Sequence, residues 1–565
     1  MAVIRRRHFN GEHALFAVVA VYVLLFSVLP LSRLLAEAFL PDGRIGLGLI
    51  GQVLSSHAAV TATLNTIEAG LGSTALSVVL GTLTALAVGL TDIRLKPVLV
   101  FLLLMPLLVP AQIAALSWLE LLGPSSPILT PLGLAPPLGT RNPLYSPGGV
   151  IFLMGIEHST IVFLSVRAGL RTVPRNLIEA ARSAGAGPLR IIVDVVLPLL
   201  RPAIVGGAAL AFVSSIGNFG IPALLGIPGR YTLLTTLIYQ RLSGFGPRVL
   251  GEVGTLALVL AVLAATGLAI QTLALRHHRP PVGSTEMATF PLGRSRLAIE
   301  GTVWSFLLLT AVLPLAALAG TSCVSALGVP LSPATATLDH YRYVLTEYPA
   351  TRRAFINSTA LAGLAALAVA VISVPLGHAI VRRPQPLIRL IDKLADAPFA
   401  LPGIVLSIAC IMIYLKPLPV VGIGLYGTFW IILFAYLGRF LALGLRPTIA
   451  GLRQIDLALE EAAQASGAGP LRRLVTVVRP LAAPAAMAGA VLVFMSAFNE
   501  LTVSILLWSS GYETLGVMVF NLYDEGNTTA AAAVSILAVM ATLVIAGLVT
   551  LAARWLPRGV LPWQA

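Results

Sequence analysis

Charge is what this 565-residue chain has little of: 11% of its residues are Asp, Glu, Lys or Arg, against roughly 25% in an ordinary soluble domain. With 57% hydrophobic residues and a mean hydropathy of +0.92, a soluble globular protein is excluded. Lysine is scarcer still. Lys96, Lys393 and Lys416 are the whole set, and none stands in a GxxxxGK[ST] phosphate loop, so the chain carries no ATP site of that type. Cysteine is confined to Cys323 and Cys410, without CxxC or Cys/His spacing, which argues against a disulfide framework or a zinc site. Lys+Arg 37 against Asp+Glu 23 is a basic balance, yet no basic helix or aromatic-interleaved patch accompanies it, so no nucleic-acid partner is expected.

What is abundant is apolar sequence in runs that cross a bilayer, about 20 residues as a helix, and lipid obliges such runs to satisfy their own backbone hydrogen bonds. Spans are predicted at about 14–33, 65–90, 97–120, 148–168, 203–226 and 249–274, then at about 298–322, 357–381, 394–415, 427–446, 485–508 and 528–553. The expected fold is an all-α membrane protein of about 12 transmembrane helices, with domains 1–275 and 298–565 and a polar linker at 276–297. That linker is headed by Arg276-His277-His278-Arg279-Pro280-Pro281. The Arg5-Arg6-Arg7 start and Ala36-Glu37-Ala38 imitate a signal peptide, but the repeat described next needs a helix there, so an uncleaved first span is expected. Positive residues are retained in the cytoplasm. Arg5 to Arg7, Arg94, Lys96, Arg167, Arg171, Arg175, Arg182, Arg190, Arg201 and the linker fall on one side, which puts both termini there. Arg230, Arg241 and Arg248 blunt this asymmetry without reversing it.

The halves repeat. At a spacing of 292, Leu64-Asn65-Thr66 matches Ile356-Asn357-Ser358, and Pro106 and Pro110 match Pro398 and Pro402. After the third span the spacing is 282, and it holds through Phe212/Phe494, Ser214/Ser496 and Thr232-Leu233/Thr514-Leu515. An even number of spans precedes the second copy, so the two six-helix repeats are parallel. Between the fourth and fifth spans the copies read EAARSAGAGPLRIIVDVVLPLLRPA from Glu179 and EAAQASGAGPLRRLVTVVRPLAAPA from Glu461, identical at 16 of 25 positions. The pattern reads as helix, break, helix. Glu179 is placed in an early helical turn, Gly185 ends that helix and Pro188 opens the next. Ala180 and Ala181 leave a low-relief face that a partner backbone approaches closely.

This pattern resembles the EAA loop of the permeases of binding-protein-dependent ABC importers, type I fold. The resemblance implies docking loops at Glu179, Ala180, Ala181, Gly185, Gly187, Leu189 and Arg190, and at Glu461, Ala462, Ala463, Gly467, Gly469, Leu471 and Arg472. It implies as partners two copies of a cytoplasmic ABC ATPase subunit, where ATP and Mg would be bound, and a periplasmic substrate-binding protein. The chain itself is expected to bind no cofactor or metal and to have no catalytic site, in a bacterial inner membrane. Arg479 departs from the pattern where the first copy has Leu197. Phrases such as Gly217-Asn218-Phe219-Gly220-Ile221-Pro222, Tyr341-Arg342-Tyr343-Val344-Leu345 and Phe498-Asn499-Glu500-Leu501-Thr502 look like ferric-iron importer permeases. Related permeases carry thiamine, phosphonates, sugar phosphates and polyamines.

In type I importers the fifth spans line the pathway, which makes Ser214, Asn218, Ser496, Asn499 and Glu500 the transport-path candidates. Glu500 either contacts a cationic cargo or pairs with an Arg or caps a broken helix. Glu157-His158 interrupts the fourth span; the second half has no such pair, which favours interhelical hydrogen bonding over a proton relay. The four repeated prolines are read as kinks. A proton-coupled secondary transporter has no reason to duplicate a docking loop, and no metal spacing, nucleophile elbow or paired carboxylates support a membrane enzyme.

Overall fold

The computed structural model describes residues 15–39, 47–244, 249–275, 289–383, 385–417 and 422–552. Arg5 to Arg7, Arg248 and the linker head at Arg276 to Pro281 lie outside them. Among the described residues, ten helices are long and apolar enough to cross a membrane. In the first half these are α1 (Leu15–Glu37), α2 (His57–Leu90), α5 (Pro147–Leu170), α7 (Pro188–Gly217) and α9 (Val249–Leu275). The second half supplies α10 (Gly293–Ser322), α11 (Pro349–Arg382), α14 (Phe429–Arg453), α16 (Pro470–Phe498) and α18 (Thr528–Leu551). The protein is a multi-pass, all-α membrane protein built from two repeats.

The third span of each half differs from expectation. In the second half α12 (Pro386–Ala400) and α13 (Gly403–Tyr414) meet at 106°. In the first, α3 (Lys96–Leu103) is followed by a turn at Met105–Leu108 and then by α4 (Ala111–Leu122). Proline disfavours helical backbone in the residue before it. Val109 and Leu401 are accordingly extended ahead of Pro110 and Pro402, so these prolines break the span rather than kink it. Pro398, by contrast, is accommodated inside α12.

The fifth spans also shift. They start at Pro188 and Pro470, within the repeated loop, and end at Gly217 and Phe498, short of the expected 226 and 508. One wide π-type turn interrupts each, at Ile192–Val196 and Leu474–Val478. It opens the hydrogen-bond ladder just before Pro198 and Pro480, which have no N–H to contribute.

Within each half the second, fourth and fifth spans pack on one another, α2, α5 and α7 in the same pattern as α11, α14 and α16. Small residues set the closest crossings: a side chain at Gly207 would crowd Val162, and one at the matching Gly489 would crowd the Gly444 backbone. The repeated Asn and hydroxyl pair has the same task twice. Asn65 donates to the Thr232 carbonyl and Thr66 accepts from the Leu234 N–H, the first of α8 (Leu234–Leu242); Asn357 donates to the Gly511 and Glu513 carbonyls and Ser358 accepts from the Leu515 N–H, the first of α17 (Leu515–Asp524).

The first span of each half crosses to the other half. Tyr22 of α1 donates to the Leu437 carbonyl at 2.8 Å, and Gly438 leaves room for the Phe26 carbonyl. Reciprocally, α10 packs on α4, and its Thr321 donates to Glu120 at 2.9 Å.

Candidate functional site

The two repeated loops fold alike. In the first, α6 (Arg175–Ser183) ends in a Schellman motif: Gly185 has φ +81°, its N–H donates to the Arg182 carbonyl, and the Ala186 N–H donates to the Ala181 carbonyl. In the second, α15 (Leu457–Ala465) ends the same way, with Gly467 at φ +82° and bonds to the Gln464 and Ala463 carbonyls. Gly187 and Gly469 then precede Pro188 and Pro470, the first residues of α7 and α16. Nothing lies near where a side chain at Gly185 or Gly467 would point, so positive φ, not space, calls for glycine there.

The predicted loop residues are brought together on an exposed knob. Glu179, Ala180, Gly185, Gly187, Leu189 and Arg190 are exposed in the first copy, with Ala181 half-buried. Glu461, Ala462, Gly467, Leu471 and Arg472 are exposed in the second, with Ala463 and Gly469 half-buried. Glu179 lies in the second turn of α6 and pairs with Arg175 at 2.7 Å. Leu189 is 75% exposed and Leu471 53%; Leu177 and Leu459, 282 residues apart, are exposed as well. Exposed apolar side chains thus recur at matching places on the two knobs and make them a candidate contact surface. The last pair was missed in the sequence, although the repeat register was enough to find it.

The buried sides of the two knobs differ. Ile178 of α6 is buried in an apolar cluster with Leu90, Ile93 and Phe290, against which Leu86 packs. The residue at the matching place in α15 is Glu460, buried and bonded at 2.8 Å both to His378 Nε2 and to Arg382 Nε of α11. Burial opposes its charge, but His378 and Arg382 hold the carboxyl below the usual range. On the first knob, Arg182 donates to the Thr289 carbonyl at 2.9 Å and lies over the Phe290 ring at 4.4 Å. The segment Thr289–Ser295, expected as linker, is thus strapped to the knob, and Asp92 anchors it by accepting from the Leu292 N–H and pairing with Arg296.

Three of the fifth-span candidates, Asn218, Asn499 and Glu500, lie where α7 and α16 break. Asn218 is buried, donating to Glu157 Oε2 at 2.9 Å and accepting from the Ile221 N–H. Glu500 is buried at the matching place, capping the next turn by accepting from the Val503 and Ser504 N–H groups at 2.7 and 3.1 Å. Tyr436 donates to it at 3.4 Å, and Arg439 is its cationic neighbour. The register sharpens this comparison: Arg439 stands 282 residues after Glu157, as Glu500 does after Asn218. Each half therefore ties its fourth span to its fifth-span break with a hydrogen bond, Asn218 to Glu157 in one and Tyr436 to Glu500 in the other, where the Arg439 charge also acts on Glu500. His158 bonds to Ser215 Oγ at 2.9 Å, and that hydroxyl also meets Ser73. Both members of the fourth-span pair are thus held in interhelical hydrogen bonds.

The breaks of opposite halves touch. Gly217 packs against Pro402, and Gln112, two residues after Pro110, donates to the Asn499 carbonyl at 3.4 Å. Asn499 itself donates to Thr542 at 2.7 Å. Ser214 and Ser496 lie earlier on their helices, half-buried and exposed respectively. Among the described residues no group of three or more His, Cys, Asp or Glu side chains is arranged to hold a metal ion.

Comparison with known proteins agrees with this duplicated architecture. Residues 77–280 and 365–562 each match the family described as binding-protein-dependent transport system inner membrane component. The chain is 29% identical over 426 residues, 73% of each chain, to the probable ABC transporter permease protein y4fN of Sinorhizobium fredii. It is 24% identical over 399 residues, 69% of this chain and 74% of the relative, to the Fe(3+)-transport system permease protein FbpB 2 of Haemophilus influenzae. Over 216 residues, 38% of this chain and 75% of the relative, it is 29% identical to the putative 2-aminoethylphosphonate transport system permease protein PhnU of Salmonella typhimurium.

Proposed function

The chain belongs to the family of binding-protein-dependent transport system inner membrane components, and on that premise we propose that it forms both halves of the pore of an ATP-driven ferric-iron importer. The observation that carries the reading is the pair of exposed knobs with matching Schellman ends at Gly185 and Gly467. Two knobs call for two copies of an ABC ATPase subunit, one on each, with ATP and Mg held there and no hydrolysis on this chain. The knobs and both termini face the cytoplasm, in keeping with the clustered arginines. A periplasmic binding protein delivers cargo on the opposite side.

The mechanism follows from where the polar breaks stand. Closure of the two ATPase subunits draws the knobs together, and because α7 and α16 begin within the knobs and end next to Asn218 and Glu500, the movement reaches the breaks along these two helices. Parting Gly217 from Pro402, and Gln112 from Asn499, opens the pore outward; hydrolysis resets it. Ser214, Asn218, Ser496, Asn499 and Glu500 border this path. Ferric ion is favoured as cargo over phosphonate by the ferric relative's match to both halves, against 38% coverage for the phosphonate relative.

The test is reconstitution with the cognate ATPase and binding protein. The wild-type chain takes up ferric ion and not thiamine or 2-aminoethylphosphonate. Gly185→Val with Gly467→Val, which forces β-branched residues into positive φ, inserts but loses ATPase association and at least about tenfold in uptake, a barrier difference of about 1.4 kcal/mol. Intact association in that variant rejects the docking assignment, and uptake of another cargo rejects iron.

A further inference from the structure

The two docking helices are fastened to the membrane bundle by different chemistry. Glu460 on α15 is gripped by His378 and Arg382 of α11, one helical turn apart, and Arg382 adds a bond to the Ile455 carbonyl at 2.8 Å, just ahead of α15. The matching positions in the first half are Ile178, Leu86 and Leu90, an apolar seat. Charge-assisted hydrogen bonds are directional and fix the angle between two helices, whereas apolar contact is non-directional and lets one helix slide on another. Among the described residues the first seat also carries a strap, from Arg182 to Thr289 and Phe290 and on through Arg296 to Asp92 and Glu300; at the second, the start of α1 lies alongside, with the Arg383 guanidinium over the Phe16 ring.

We infer that Glu460, His378 and Arg382 are positioning residues that couple the second docking knob rigidly to α11, and that ATP-driven movement enters the bundle unequally through the two knobs. On the second knob, α15 and α11 move as one body within their own half. On the first, α6 shifts over its apolar seat and passes its movement through the strap to α10, the span that packs against the opposite half. Two identical ATPase subunits would then act on unlike levers. This rests on the docking assignment above, and its test leaves that assignment intact.

The first half supplies the variant. Glu460→Ile with His378→Leu and Arg382→Leu gives the second knob the first knob's seat, and exchange of a buried charged cluster for apolar residues is commonly neutral or stabilising. In proteoliposomes with ATPase and binding protein, this triple variant keeps ATPase association, while the ATP hydrolysed per cargo moved rises at least about fivefold. Glu460→Gln, nearly isosteric, raises the same ratio at least about twofold, and Arg382→Lys, which keeps the charge, stays within about twofold of wild type. Leu86→Ala, a comparable trimming of the first seat, leaves the ratio unchanged. An unchanged ratio in Glu460→Gln overturns the proposal, whether or not the triple variant assembles. So does an equal rise in Leu86→Ala. Loss of association in Gly185→Val with Gly467→Val stands whatever these variants do.

Discussion

At position 157 the first half carries a carboxylate, and at the matching position 439 the second carries a guanidinium. Glu157 accepts a hydrogen bond from Asn218 at its fifth-span break, and Arg439 is the cationic neighbour of Glu500 at the other. Motif letters hide this correspondence, because Glu157-His158 has no Glu-His counterpart, whereas the 282 register aligns Glu157 with Arg439 and Asn218 with Glu500. Glu500 is held as a helix cap beside an arginine, with its oxygens on the Val503 and Ser504 N–H groups. A buried charge stripped of its partner is costly, about 3–5 kcal/mol. Arg439→Met should therefore lower thermal stability in detergent by that order, while Arg439→Met with Glu500→Gln recovers most of it. Equal losses in the single and double variants, in a thermal-shift measurement, would show that the two residues do not act as a pair.

At the scale of the element, the prolines announced a disturbance in both third spans but not its size. The 106° turn between α12 and α13 depends on what holds the extended residue: Arg439 donates to the Leu401 carbonyl at 3.1 Å, and Val503 and the Arg439 guanidinium close over Gly403. Those partners come from the fourth span and from the segment that follows the fifth, and cannot be read from the α12–α13 sequence itself. The linker strap is likewise tertiary. Polar composition marked 276–297 as a connector, whereas Asp92 binds its tail to the turn after α2. A backbone N–H from Leu292, then Arg296, holds the Asp92 carboxyl below its usual value. With the folded value depressed, the strap's contribution is complete above the unfolded value, near pH 4, and is lost as pH falls through the folded one. Hydrogen exchange at residues 289–295 should then be flat from pH 7 to 5, after correction for intrinsic rates, and accelerate only below about pH 4. In Asp92→Asn it should be fast throughout.

For the whole molecule, the crossing of α1 and α10 makes each half incomplete alone. Residues 1–275 and 298–565, expressed separately, should each be readily proteolysed and should co-purify when expressed together, whereas stable, monodisperse single halves would contradict the packing of α1 on α13 and α10 on α4. Composition, hydropathy and the 292/282 register determined the membrane environment, the duplication and the helix-break-helix knobs. These are properties of apolar runs, Gly and Pro, whose preferences act locally and need no partner. Tertiary structure alone decided that the first spans are exchanged, that Pro110 and Pro402 break their helices against the opposite half, and that one knob sits on isoleucine and the other on a buried glutamate. Each of those outcomes depends on what a distant helix offers to an exposed carbonyl, a buried charge or an apolar face, and sequence spacing does not encode that offer.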